Sequence, residues 1–285
     1  MFQSRFLVPS GLLIFLGLVL VSCQSSPPPP PPPLEGETEI VIGTSLPLES
    51  KVFGESRTIS VVLPMGYSER NESFPVLYVV DGGVHQDLLP MAGMAALATL
   101  SGQYREFILV GVQTNNRYYE LTTESTNAYD LENIPHNGGA KKFRQHLVEE
   151  VRPLVESRWR TSGENAIIGE SLAGLFIAES FLHAPDSFDH FVAVSPSLWW
   201  RDMGLSKEAA DILQKDSFPS DPTLYLTIAS EGGTMIEGME RLVKALETHA
   251  PENLKWWYQP MPQEDHSTIY NPAALKALRL IFTRE

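Results

Sequence analysis

The stretch Gly169-Glu170-Ser171-Leu172-Ala173-Gly174 constrains this chain more tightly than any other. An apolar run, Ala166-Ile167-Ile168, precedes it, and a helical pattern over residues 175–182 follows. A strand that turns sharply into a helix at a serine needs small residues two before and two after, here Gly169 and Ala173, so that strand and helix can close together. The turn pushes the hydroxyl out above the sheet edge. The helix start beside it offers free N–H groups to developing negative charge. A serine before a helix can also be a plain N-cap; the strand before and the helix after favour a nucleophile.

The rest of the chain alternates in the same way. Apolar runs at 58–63, 76–80, 107–112, 166–168, 191–194, 223–228 and 254–258 read as strands. Helical patterns fall near 86–101, 140–158, 172–183, 206–215, 235–248 and 272–283. Near-continuous apolar strands alternating with helices predict an α/β fold, a mainly parallel central sheet with helices on both faces. Sites in such sheets lie beyond the carboxyl ends of the strands. The polar punctuation Asp81-Gly82-Gly83, Ser195-Pro196 and Ser230-Glu231 falls there.

The N-terminus reads differently. Residues 1–22 form a signal segment: Arg5, then an apolar run from Leu12 to Val21, too short to span a bilayer comfortably. It ends in Leu20-Val21-Ser22-Cys23, which resembles a bacterial lipobox, so Cys23 is the expected lipidation site and membrane anchor. Cys23 is the single cysteine, which excludes an intrachain disulfide. Gln24 in place of Asp implies sorting to the outer membrane, facing the periplasm. Residues 23–38 carry seven consecutive prolines, an extended spacer of about 20 Å. Residues 39–285 are left for one α/β domain. A net charge of −14 argues against nucleic acid as a partner. No metal cluster or phosphate loop is legible, so neither metal nor cofactor is expected.

A serine needs a base. Among seven histidines, His266 alone combines a position after a strand with the order serine, acid, histidine. His85 also follows a strand but precedes the serine, and suits substrate contact. The acid should follow the strand ending near Ile228, where Glu231 is nearest; it would accept the imidazole N–H and fix the tautomer. Asp265 competes, although neighbouring side chains usually point apart, and a Ser-His dyad without an acid stays open. The oxyanion would take the N–H of Leu172 and a second one from Gly83, although those glycines also suit a tight turn. Trp199, Trp200 and Arg201 end one strand, and Arg117 follows another. Aromatics beside arginine can grip an aromatic anion; core packing for a tryptophan and solvent for an arginine are equally good readings.

The chain resembles the putative-esterase family of α/β-hydrolases, which includes esterase D, the siderophore esterases and the bacterial mycolyltransferases. The resemblance runs from about residue 39 to 283. It is carried by residues 50–64, by Pro75-Val76-Leu77-Tyr78-Val79-Val80-Asp81-Gly82, by residues 143–155, by Ile168-Gly169-Glu170-Ser171-Leu172-Ala173-Gly174 and by Val194-Ser195-Pro196-Ser197-Leu198-Trp199-Trp200. It implies Ser171 as nucleophile, His266 as base and an optional acid. Three positions depart from the family pattern. Glu170 stands where His or Gln is usual, Ala173 where Gly is usual, and Ser267 where Gly follows the histidine. Glu170 next to the nucleophile would discourage an anionic substrate. The expectation is a periplasmic serine esterase acting on a small-molecule ester, with siderophore trilactones as the sharpest substrate. The alternatives are an acetyl or feruloyl carbohydrate esterase and a non-catalytic, ligand-binding lipoprotein. Oligomeric state is not legible.

Overall fold

The computed structural model describes residues 31–32, 34–215, 218–219 and 221–284. The signal segment, Cys23 and most of the proline run lie outside the described residues. The chain divides into two units, Met1–Ile40 and Val41–Glu285. In the first, the N–H of Leu34 donates to Glu37 at 2.7 Å across a turn. All helices and strands of the described residues belong to the second.

Eight strands form one sheet: β1 (Thr44–Ser50), β2 (Glu55–Val62), β3 (Phe74–Val80), β4 (Ile108–Val112), β5 (Thr161–Glu170), β6 (His190–Val194), β7 (Thr223–Thr227) and β8 (Trp256–Tyr258). Their order is β1-β2-β4-β3-β5-β6-β7-β8. Pairing is antiparallel between β1 and β2 and between β2 and β4, and parallel everywhere else. The strands between the edges are apolar at successive positions because both faces are covered. In β3, Val76, Tyr78 and Val80 enter one core, while Leu77 and Val79 enter the other. That is the two-residue period of a pleated strand.

The helices divide accordingly. The helices α1 (Leu88–Ser101) and α9 (Tyr270–Ile281) pack on one face. The opposite face takes α4 (Ala140–His146), α5 (Arg152–Arg158), α6 (Leu172–His183), α7 (Trp200–Leu213) and α8 (Thr234–His249). Two short helices, α2 (Arg117–Glu120) and α3 (Ala128–Asn133), sit in the long connection after β4.

Several elements differ from the sequence reading. The edge strand β1 was not foreseen; it contains Pro47 and is mostly exposed, so it lacks a strong apolar pattern. The helical pattern at 140–158 is interrupted by a π-helical turn at Leu147–Val151. The helix read at 206–215 starts earlier, through a non-helical stretch at Arg201, Asp202 and Met203.

Candidate active site

The turn after β5 has the strain its sequence implies. Ser171 sits at φ 62°, ψ −119°, a region that side chains other than glycine rarely enter. The strain is held from both sides. The Ser171 N–H donates to the Val194 carbonyl at 3.0 Å, and its own carbonyl accepts from Leu175 at 2.9 Å and from Ser197 at 3.0 Å. A Cβ on Gly169 would lie 2.6 Å from that of Ala173, and one on Gly174 would lie 2.6 Å from the Val194 carbonyl oxygen. The small residues are therefore a packing requirement of the elbow.

Two further loops converge on this serine. The Nδ1 of His266 lies 2.7 Å from Oε1 of Glu231. An ionised carboxylate only accepts, so Nδ1 carries the proton of this contact. The loops are tied together by the N–H and hydroxyl of Ser230, both donating to the Glu264 carbonyl at 2.9 Å. Asp265, the competing carboxylate, is occupied within its own turn by the N–H and hydroxyl of Ser267, at 2.8 and 2.6 Å. Ser171 and His266 line one cleft of about 360 Å³ with Glu170, Asp81, Asp87, Gln86 and Arg117. Within it the Ser171 hydroxyl is paired with that of Ser197 at 3.3 Å.

The candidate oxyanion donors differ in state. Leu172 is the first residue of α6, and its N–H is free of any intrahelical partner by position. The Gly83 N–H donates to the side-chain oxygen of Gln86 at 3.0 Å. Gln86 is held in turn by its amide nitrogen donating to Thr114 at 3.0 Å. The Thr114 hydroxyl donates to Asp81, whose other oxygen pairs with Arg117 Nε at 2.6 Å. Arg117 opens α2, whose last residue, Glu120, belongs to a buried ion pair. Both oxygens of Glu120 accept from the Arg57 guanidinium, at 2.8 and 2.7 Å, and Glu120 also accepts the N–H groups of Asn115 and Asn116.

The cleft is rich in carboxylates. Burial pushes Glu170 up to about 7; His266 pulls it back, and Asp87 and Glu231 push it further. One oxygen of Glu170 is buried without a hydrogen-bond partner. Burial and the charge of Asp81 push Asp87 up to about 6. Below them lies the buried hydroxyl of Tyr270, also without a hydrogen-bond partner and raised well above its ordinary range by burial and by Asp87, Glu170 and Asp81.

Not every residue expected from sequence arrives here. Trp200 is buried in the core, its Nε1–H donating to the Thr123 carbonyl at 3.0 Å. Arg201 turns away to pair with Glu208 at 3.0 Å. His85 is exposed and is not among the residues lining the cleft. Trp199 lines a different cleft, with Tyr129. Sequence reasoning missed Ser197, Gln86, Asp81, Asp87 and Tyr270. The first four follow strand ends, and that position was their one available signal.

Comparison with known proteins agrees with this architecture. The family model described as "Putative esterase" matches residues 50–267. The siderophore triacetylfusarinine C esterase of Aspergillus fumigatus is 26% identical over 192 residues, covering 62% of this chain. The chain spans 64% of that relative's own length. Among solved structures, an IroE-like serine hydrolase from Shewanella oneidensis superposes with a TM-score of 0.75 at 26% identity, over 84% of this chain and 80% of the other. The BES protein of Bacillus cereus also gives 0.75, over 87% and 98%; at 22% identity it bears on the fold alone. With the family model spanning most of the chain and the fold shared over more than four-fifths of it, the chain belongs to the putative-esterase family of α/β-hydrolases.

Proposed function

We propose that this protein hydrolyses carboxylic esters through an acyl-serine intermediate on Ser171. The observation that carries the reading is the 2.7 Å contact of Glu231 with His266, which lines the cleft that also holds the strained serine. In the reaction the Ser171 hydroxyl leaves Ser197 and turns to His266. Nε2 takes the proton as Oγ attacks the ester carbon. The carbonyl oxygen becomes an oxyanion, stabilised by the N–H groups of Leu172 and, once Gln86 withdraws, Gly83. Collapse breaks the bond to the alcohol oxygen, which takes the proton from His266. Water, deprotonated by His266, then releases the acid and restores Ser171.

For the substrate we favour a siderophore ester of low charge. The relative named as a triacetylfusarinine C esterase supports the siderophore class. The carboxylates of Glu170, Asp87 and Asp81 favour an uncharged or cationic ester over an anionic one, since Arg117 is already paired with Asp81. Cys23 is proposed to carry a lipid that anchors the enzyme in the outer membrane, facing the periplasm.

The test is hydrolysis of p-nitrophenyl acetate, ferric hydroxamate esters and ferric catecholate trilactones by the wild type, Ser171→Ala and His266→Ala. Loss of all turnover in both variants supports the mechanism; turnover surviving in Ser171→Ala refutes it. A preference for catecholates over hydroxamates would refute the charge argument. For the anchor, Cys23→Ser should release the protein from the membrane fraction; persistent membrane association refutes it.

A further inference from the structure

A cleft of about 630 Å³ opens at the far end of the sheet from Ser171. Its walls include His190 and Thr223, which open β6 and β7, and Lys255, which precedes β8. These strands are parallel, so their first residues share one edge of the sheet. Ser171 follows the opposite edge, where its N–H meets the carbonyl of Val194, the last residue of β6. The five residues of β6 put about 13 Å between the two edges. The cleft is therefore separate from the one that holds Ser171.

The chain carries a net charge of −14, yet no carboxylate lines this cleft. Arg105, Lys255 and Arg284 line it, with His190 beside them. Arg105 is committed to the fold. Its Nη1 and Nη2 donate to Glu164 at 2.8 and 2.6 Å, and Glu164 also accepts from His190 Nε2 at 3.0 Å. Glu164 thus balances the charge of Arg105. The Arg105 backbone N–H and Nε cover the carbonyls of Phe282 and Thr283, at 2.8 and 3.2 Å. Those carbonyls end α9 and would otherwise repel an anion.

The other two cations are exposed and, among the described residues, make no ion pair. Lys255 Nζ lies 5.4 Å from the centre of the Trp257 ring, which also lines the cleft. Arg284 is steadied by Nε donating to the Tyr104 carbonyl at 3.2 Å. Its guanidinium packs over Gly102, where a Cβ would come within 3.2 Å of Nη1. Glu106, which feels the charge of Arg284, pairs with Arg70 at 2.8 Å. Two positive charges are left facing one cleft with no acid in its walls.

We propose that this cleft binds a phosphate monoester group, with Lys255 and Arg284 as its charged contacts. Such a group carries a charge of about −1.5 to −2 near pH 7, which two cations match. A guanidinium offers it a planar fork and an ammonium offers a point charge. Trp257 gives the organic part an apolar wall. The site does not depend on the chemistry at Ser171. Two sources carry such a group: a soluble phosphate ester, and a lipid such as phosphatidic acid at a membrane surface.

Titration calorimetry of the full chain with inorganic phosphate and with phenyl phosphate tests the site. Saturable binding of both is expected. Lys255→Ala and Arg284→Ala should each weaken it by about tenfold, the loss of one charge-assisted hydrogen bond, and Lys255→Arg should retain it. Unchanged thermal melts of the variants separate loss of the site from loss of the fold. Absence of binding, or binding that survives in the double variant, overturns the proposal. Dimethyl phosphate, a diester with a single charge, should bind at least about tenfold more weakly; equal binding would overturn the monoester assignment. Co-sedimentation with phosphatidylcholine vesicles, with and without phosphatidic acid, separates the two sources. Retention that requires phosphatidic acid and is lost in the double variant assigns the site to a membrane lipid. Phenyl phosphate binding without such retention assigns it to a soluble ester.

Discussion

The side-chain oxygen of Gln86 accepts a hydrogen bond from the Gly83 N–H at 3.0 Å. On the proposed mechanism that is the hydrogen bond an oxyanion would take, so Gln86 mimics the charged oxygen in the resting site. Removing the competitor should free the donor. Gln86→Ala is expected to raise kcat/KM on small esters by about two- to tenfold, the worth of one hydrogen bond. A fall in kcat instead would mean that Gln86 supports the turn that aims Gly83.

The carboxylate that meets His266 is separable from its neighbour. Glu231→Gln would leave the imidazole able to adopt the wrong tautomer, and kcat should fall by about a hundredfold to ten-thousandfold. Asp265→Asn should change kcat by less than about fivefold, since that carboxylate is spent within its own turn. Steady-state kinetics of the two variants decide the assignment; the reverse ranking would transfer the role to Asp265.

Glu170 should make stability depend on pH. Its carboxyl is held up to about 7, above its ordinary value of 4.5. Between those values the folded chain binds the proton and the unfolded chain does not, so this group's contribution is full below the ordinary value and is lost as pH rises through about 7. Asp87, pushed up to about 6, acts in the same direction. Glu170→Gln should therefore gain in Tm over the wild type as pH rises from about 4.5 to about 8. Thermal melts across that range check it; a Tm difference that is flat with pH would remove Glu170 as the source.

The Arg57–Glu120 ion pair should be sensitive to half-removal. Arg57 and Glu120 are 1% and 2% exposed and bonded through both carboxylate oxygens. Glu120→Leu leaves a buried guanidinium with one remaining carboxylate, Glu55, and is expected to cost about 3–5 kcal/mol in urea melts. The double variant Arg57→Met with Glu120→Leu should recover most of that loss. A double variant as unstable as the single would show that the pair also contributes through packing, where Arg57 lies 4.3 Å over the Phe53 ring.

The sheet and its helices were legible because burial on both faces leaves a strong local mark. Each inner strand is apolar at consecutive positions, and each helix that follows has its own pattern. The edge strand β1 was not legible, since one proline and exposed side chains leave little apolar signal. The sharp turn at Ser171 was legible from its strand-turn-helix context, and the placing of His266 and Glu231 on loops after strands from the apolar runs before them. The direction of Arg201 depends on three left-handed residues that no local pattern announces.

By itself, then, the sequence determined the layers, the elbow at Ser171 and the small residues that let it form, because each of these depends on contacts between near neighbours. Tertiary structure alone decided that Glu231 rather than Asp265 meets His266, that Gln86 covers Gly83, that Ser197 holds the Ser171 hydroxyl, and that Trp199 faces Tyr129 rather than Ser171. Every one of these joins loops from different strands or fixes the direction of a side chain. Such contacts are set by how the sheet twists and stacks its loop ends together, which is a property of the whole packed domain.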